Sequence, residues 1–150
     1  MIRDFTSESG TKYLLQNEDH FKTVYSLVTS WLDQLRIICP TTLTDQINNL
    51  EAIAEQFKKD VLKGDVFRTI IDAHNLPVKL NALKRDASRT HPENFPKRQE
   101  FYNAMLKINQ GPIKLLQNTM HPLYQEFTEY LISCLKPYKK HQKSDDQCQN

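Results

Sequence analysis

The sequence lacks the local signals of β-structure. It has only three glycines in 150 residues, and no segment alternates apolar and polar residues for long. It contains no Asn-Gly or Asp-Gly pair, which are the strongest local signals for a β-hairpin turn. Because each glycine falls where a helical pattern stops or restarts, we interpret all three as helix ends. These absences exclude a sheet-based fold and predict an all-α protein.

Long apolar runs and a large net charge are also missing. No segment approaches the roughly 18 apolar residues that a membrane span requires, and residues 1–5 lack the apolar centre of a secretory signal peptide. Lysine and arginine number 20 against 18 acidic residues, a net charge of +2. This near-neutral balance disfavours nucleic acid as a partner. We therefore expect a soluble, cytoplasmic protein.

Cysteine and histidine occur without the spacing of a metal site. The three cysteines, at 39, 134 and 148, form no Cys-x-x-Cys pair, and we predict reduced thiols in preference to a Cys39–Cys134 disulfide. No two of the five histidines lie three or four residues apart, as helical metal ligands do. No Walker loop, Gly-x-Ser-x-Gly or Gly-x-Gly-x-x-Gly motif is present. We therefore predict no cofactor and no metal. The sequence assigns no catalytic residues.

Apolar periodicity predicts a long N-terminal αα-hairpin over residues 18–63. Its first helix begins after Asn17 and ends before Pro40. Its predicted inward residues are Phe21, Val24, Tyr25, Val28, Trp31, Leu32, Leu35 and Ile38. The second is capped by Thr42 with Asp45, or by Thr44 alone, and ends at Gly64. Its inward residues recur at steps of four and three, from Leu43 through Ile47, Leu50, Ala54 and Phe57 to Val61. Such a stripe could serve a homodimer, but an intramolecular hairpin buries it more economically.

The rest of the chain predicts shorter helices and a C-terminal helical pair over residues 96–138. Asp65 caps one helix, Pro77 opens another, and Pro96 stands in the first turn of a third that Gly111 breaks. From Pro112 to Tyr138 a stripe that includes Leu131, Cys134 and Leu135 predicts one kinked helix or two abutting helices, with Pro122 at the junction. The fold is then a helical bundle of about five to seven helices. Residues 1–139 form a single domain and residues 140–150 a flexible polar tail.

The strongest local charge lies between Lys79 and Arg98, where six cations face two acidic residues and leave a charge of +4. One interpretation is the solvated face of a helix. The functional interpretation is a site for an acidic partner protein, a phosphate or a phospholipid headgroup. The aromatic and proline residues of this segment fit the entry of a helix. The candidate binding residues are Lys84, Arg85, Arg89, His91, Lys97 and Arg98.

The run from His91 to Met105, "HPENFPKRQEFYNAM", resembles segments in small helical domains of effector proteins that intracellular bacterial pathogens inject into host cells. The composition rich in Lys, Asn and Gln and the polar C-terminal tail are also similar to such proteins. The resemblance implies secretion into a host cell without an N-terminal signal peptide. It assigns no catalytic residue.

The absence of catalytic signatures in a well-patterned bundle favours a protein–protein interaction module, either a secreted effector or an accessory protein. We expect a monomer or homodimer that binds another protein through one helical face and the basic segment. The first alternative is an enzyme or enzyme regulator whose site is assembled only by folding. The second is phosphate, phospholipid or nucleic-acid binding through residues 79–98.

Overall fold

A computed structural model describes residues 5–143, with side chains as far as residue 135. Six α-helices follow one another, and the described residues include no β-strand, so the predicted all-α bundle is confirmed. The helices are α1 (Glu8–Gln16), α2 (Glu18–Ile38), α3 (Thr44–Lys63), α4 (Val66–Ser88), α5 (Arg98–Ile108) and α6 (Lys114–Lys143). None of these helices is both long and apolar enough to cross a lipid bilayer.

Helices α2 and α3 form the predicted hairpin. Phe21 near the start of α2 lies 5.9 Å from Phe57 near the end of α3, measured between ring centroids. At the other end Arg36 pairs with Glu51 at 2.8 Å, so the two helices are antiparallel. The predicted inward residues of both helices are buried, as their spacing of three and four requires, except for Tyr25, Trp31 and Ile38 of α2, which are partly buried.

The start of α3 differs from its prediction. Thr41–Leu43 form a 3₁₀ turn, and α3 begins at Thr44 without a side-chain hydrogen bond at its N-cap, Leu43. The turn places Leu43 in the core, where it is 4% exposed. Burial of Leu43 therefore fixes the entry into α3, and neither threonine side chain caps the helix.

Helix α4 is a single helix of 23 residues that continues through Pro77, so the prediction that Pro77 opens a separate helix was wrong. Asp65 caps it as predicted, because its side chain accepts a hydrogen bond from the Arg68 backbone. Proline inside a helix removes one backbone hydrogen bond. The apolar stripe outweighs that loss, because it runs without interruption on both sides of the proline. Its buried members are Val66, Ile70, Ala73, Leu76, Leu80, Leu83 and Ala87.

Helices α5 and α6 are joined without a break. Asn109–Ile113 form one π-helical turn between them, so Gly111 does not end the helix as predicted. The wider turn accommodates Pro112, which has no backbone N–H to donate. Pro96 lies in a turn two residues before α5 and is outside its first helical turn. Pro122 lies within one continuous helix, α6.

The end of α6 leaves the core. Phe67, in the first turn of α4, lies 6.0 Å from Phe127, so the following part of α6 extends beyond the N-terminus of α4. Leu131 is therefore only half-buried, and Cys134 and Leu135, which the stripe placed inward, are exposed. The predicted tail falls partly in the last turn of α6, and its residues 144–150 lie outside the described residues.

Helix α3 is the centre of the bundle. It packs against α1, α2 and α4, while α5 packs on α2 and α6 packs on α4. Phe5 closes one end, where it meets the rings of Phe127 and Tyr130 at 5.1 and 4.8 Å. One continuous apolar core thus extends through all six helices.

Gly64 and Gly111 provide a matched test of this fold. Gly64 has φ +69°, and a Cβ there would lie 2.7 Å from Thr11 Cγ2, whereas a Cβ on Gly111 would meet nothing within 4 Å. We expect Gly64→Ala to lower the free energy of unfolding by about 1–2 kcal/mol. Gly111→Ala should raise it by about 0.5–1 kcal/mol, because alanine favours helix more than glycine does. Urea denaturation of both variants measures the two changes, and equal effects would contradict the different roles of the two glycines.

Candidate functional site

The six predicted binding residues lie between the last turns of α4 and the first residue of α5. We call residues 84–98 the basic connection. Lys84 and Arg85 are on α4, Arg89 follows it, and Lys97 precedes α5. A 3₁₀ turn, Pro92–Asn94, lies between them. The structure divides the six residues into three groups, which are Arg98 alone, four exposed cations, and His91 beside Glu93.

Arg98 is a structural residue. Its guanidinium donates hydrogen bonds to the backbone carbonyls of Thr90 and, at 3.5 Å, of Ala87. It also lies over the Phe95 ring, 5.9 Å from the centroid. Arginine at this position neutralises the negative C-terminal end of α4 and ties it to the start of α5. The sequence predicted Arg98 as a binding residue, but contacts within the protein occupy its guanidinium.

Three further contacts hold the basic connection in place. Phe95 is 2% exposed and meets Phe101 edge-to-face, with ring centroids 5.3 Å apart. Asp86 accepts a hydrogen bond from Gln46 Nε2 of α3 at 2.9 Å, and its backbone carbonyl accepts one from the Thr90 hydroxyl. The aromatic residues of this segment thus form a helix entry, as their pattern predicted.

Four of the six residues are exposed and free of partners in the described part of the chain. These residues are Lys84, Arg85, Arg89 and Lys97, and we call them the basic patch. Between residues 5 and 135, no side-chain nitrogen of these four residues forms a hydrogen bond or an ion pair, and the one side-chain contact to their backbone is from the Ser88 hydroxyl to the Arg85 carbonyl. His91 is 67% exposed and lies 4.0 Å from Glu93. The structure thus displays an unneutralised positive surface on an anchored connection.

A buried carboxyl pair lies elsewhere, between α3 and α4, and was missed in the sequence. Asp60 is 3% exposed, Asp72 is 9% exposed and Thr69 beside them is fully buried. Burial, with a hydrogen bond to Asp60 and the negative charge of Asp60, raises the pKa of Asp72 to about 8. Asp72 and His74 do not form a pair, since His74 is exposed in a groove between α4 and α6. The available signal was the position of Asp60 and Asp72 on the buried stripes of their helices.

The histidines and cysteines form no cluster of three or more metal-binding side chains among the described residues. His20 Nε2 lies within hydrogen-bond distance of the Thr119 hydroxyl, at 2.7 Å. No other histidine among the described residues forms a hydrogen bond with a hydroxyl group. Cys39 and Cys134 are free thiols, and Cys148 lies outside the described residues. Burial raises the pKa of Cys39 to about 12, so this thiol stays protonated and is a poor nucleophile near neutral pH.

Comparison of the chain with protein-family models, with curated proteins and with solved structures gave no match.

The two groups of arginines predict different effects on stability. We expect Arg98→Ala to lower the free energy of unfolding by about 1–3 kcal/mol, because it removes charge-assisted hydrogen bonds to half-buried carbonyls. Arg85→Ala, at an exposed position without a partner, should change it by no more than about 0.5 kcal/mol. Arg98→Lys should restore only part of the loss, since lysine lacks the planar guanidinium. Urea denaturation measures the stability of all three variants. An Arg98→Ala variant as stable as the wild type would show that the Arg98 hydrogen bonds do not contribute to stability.

Proposed function

We propose that this protein is an interaction module that binds an acidic surface or segment of another protein through the basic patch. The observation that carries the proposal is the group of four exposed cations, Lys84, Arg85, Arg89 and Lys97, on a connection that Arg98 and Phe95 hold in place. Cations on a backbone segment that is already held in place require less ordering of that segment on binding, so more of the interaction energy contributes to affinity.

The spacing of the basic patch supports an extended acidic partner over a single small anion. Arg85 is in the last turn of α4 and Arg89 is its C-cap residue, four residues later, whereas Lys97 lies across the 3₁₀ turn. None of the five principal grooves of the described part of the chain is lined by any of these cations. Cations spread over an open surface fit carboxylates spaced along a polypeptide.

An apolar groove near the N-terminal end of α4 supports a second part of the proposal, that the partner also binds along one helical face. Ile70, Ile71 and His74 of α4 line it with Tyr124, Phe127 and Thr128 of α6. Ile71 is 40% exposed and Val78, two turns along the same helix, is 46% exposed. A partner that follows α4 would meet an apolar contact first and the basic patch at the C-terminal end.

The sequence resemblance of residues 91–105 extends this proposal to an effector that acts on a host protein. Under that proposal the acidic partner is supplied by the host cell. An accessory protein that binds a partner from its own cell uses the same surface and the same charges.

Neutralising the basic patch tests the proposal. We expect Arg85→Gln combined with Arg89→Gln and Lys97→Gln to weaken binding of a fluorescein-labelled polyglutamate peptide at least about tenfold, equivalent to about 1.4 kcal/mol. Fluorescence anisotropy measures the dissociation constant. Added salt should weaken wild-type binding, because these cations are exposed to solvent.

The matched control neutralises three other exposed lysines that have no partner among the described residues, Lys59, Lys107 and Lys114. It has the same net charge as the test variant, so it separates the basic patch from the overall charge. Equal binding by the two variants would remove the basic patch from the proposal. Parallel titrations with inorganic phosphate, phosphatidylserine vesicles and single-stranded RNA decide between a protein partner and the alternative ligands.

A further inference from the structure

The carboxyl groups of Asp60 and Asp72 face each other across the α3–α4 interface. Asp60 is one turn before the end of α3, and its backbone carbonyl accepts hydrogen bonds from Gly64 and Asp65 at the turn into α4. Thr69 and Asp72 are three residues apart, so they share the face of α4 that meets α3. The pair is therefore part of the contact that closes the hairpin between the two helices.

Too few donors surround this pair for two carboxylates. Gln56 donates to Asp60 Oδ1 at 3.1 Å. Asp60 Oδ2, Asp72 Oδ2 and the Thr69 hydroxyl have no hydrogen-bond partner among the described residues. A buried carboxylate without donors is costly, and two in contact also repel each other. One proton held between the two carboxyl groups supplies the missing donor and removes one charge.

We propose that Asp60 and Asp72 form a proton-dependent latch between α3 and α4. The latch is closed while the pair holds one proton, and it opens when both groups are ionised. While the latch is closed, one of the two groups is still a carboxylate. The hydrogen bond from Gln56 and the positive charge of Arg68 stabilise this carboxylate.

The charged groups around the latch are few. Asp65 and Arg68 at the start of α4 act on Asp72 in opposite directions, and Asp60 acts on it from α3. Arg68 is exposed, so solvent weakens its attraction. Helices α1 and α6 also pack on α4. Among the described residues, neither of these helices carries a charged group that acts on Asp72. Arg68 therefore offsets the ionisation of the pair only in part.

The sign of the pH dependence follows from proton binding. The pKa of Asp72 is raised in the folded protein from 3.8 to about 8, so the folded state holds a proton that the unfolded chain releases. Its contribution to stability is fully present below the unfolded value and is lost as the pH rises through the folded value. The unfolding equilibrium constant should rise by up to about tenfold per pH unit across this interval.

The test compares the wild type with Asp72→Asn, which keeps a donor toward Asp60 but does not titrate. We expect the midpoint temperature of thermal unfolding of the wild type to decrease as the pH is raised from about 5 to about 8. The decrease should be smaller for Asp72→Asn, because unfolding of this variant releases about one proton fewer. Asp33→Asn, at an exposed position of α2 without a partner among the described residues, should retain the wild-type pH dependence. If Asp72→Asn retains it as well, the latch is disproved.

Two measurements on the wild type make the test independent of how well the variant folds. The carbon-13 shift of the Asp72 carboxyl, followed by NMR, should report protonation at neutral pH, and an ordinary carboxylate there would overturn the proposal. Hydrogen exchange should accelerate with pH at the end of α3 and the start of α4 more than the chemical rate explains. A uniform change across all helices would overturn the local latch. Stabilisation by calcium chloride at alkaline pH that Asp72→Asn abolishes would also overturn it, in favour of a cation site.

Discussion

The bundle depends on the burial of α3 on several sides at once. The helix packs against α2 on one side and α4 on another, and α1 covers its end near the turn at Gly64. Ala54 in the middle of α3 and Ala73 in α4 are each 1% exposed, and small side chains allow neighbouring helices to approach closely. Because the inner face of α3 is covered by its neighbours, any polar residue on that face must find its partners inside the protein. The environment of Asp60 follows directly from this constraint.

The parts of the fold set by local spacing could be predicted from the sequence. The stripes of α2 and α3, the left-handed turn at Gly64 and the cap at Asp65 all depend on residues within one or two turns of each other. The errors occurred where a distant contact outweighed a local signal. Thr42 has good capping chemistry, yet burial of Leu43 determines how α3 begins, and the continuous stripe of α4 carries the helix through Pro77.

The candidate site shows the same division. Clustering of cations along the chain was sufficient to find Lys84, Arg85, Arg89 and Lys97. It could not separate them from Arg98, because the carbonyls that engage this guanidinium become available only when α4 ends beside α5. Asp60 and Asp72 are 12 positions apart in the sequence, and only the α3–α4 turn brings them into contact. Sequence spacing describes each helix well, but it does not show which faces meet.

The π-helical turn between α5 and α6 determines which neighbour each of the two helices meets. Before this turn the chain lies against α2, and after it the chain lies against α4. Each residue in an α-helix rotates the following chain by about 100°. Deletion of one residue from positions 109–113 would therefore turn the inner face of α6 away from α4, while many substitutions there would leave it in place. The length of this segment is under stronger structural constraint than its composition.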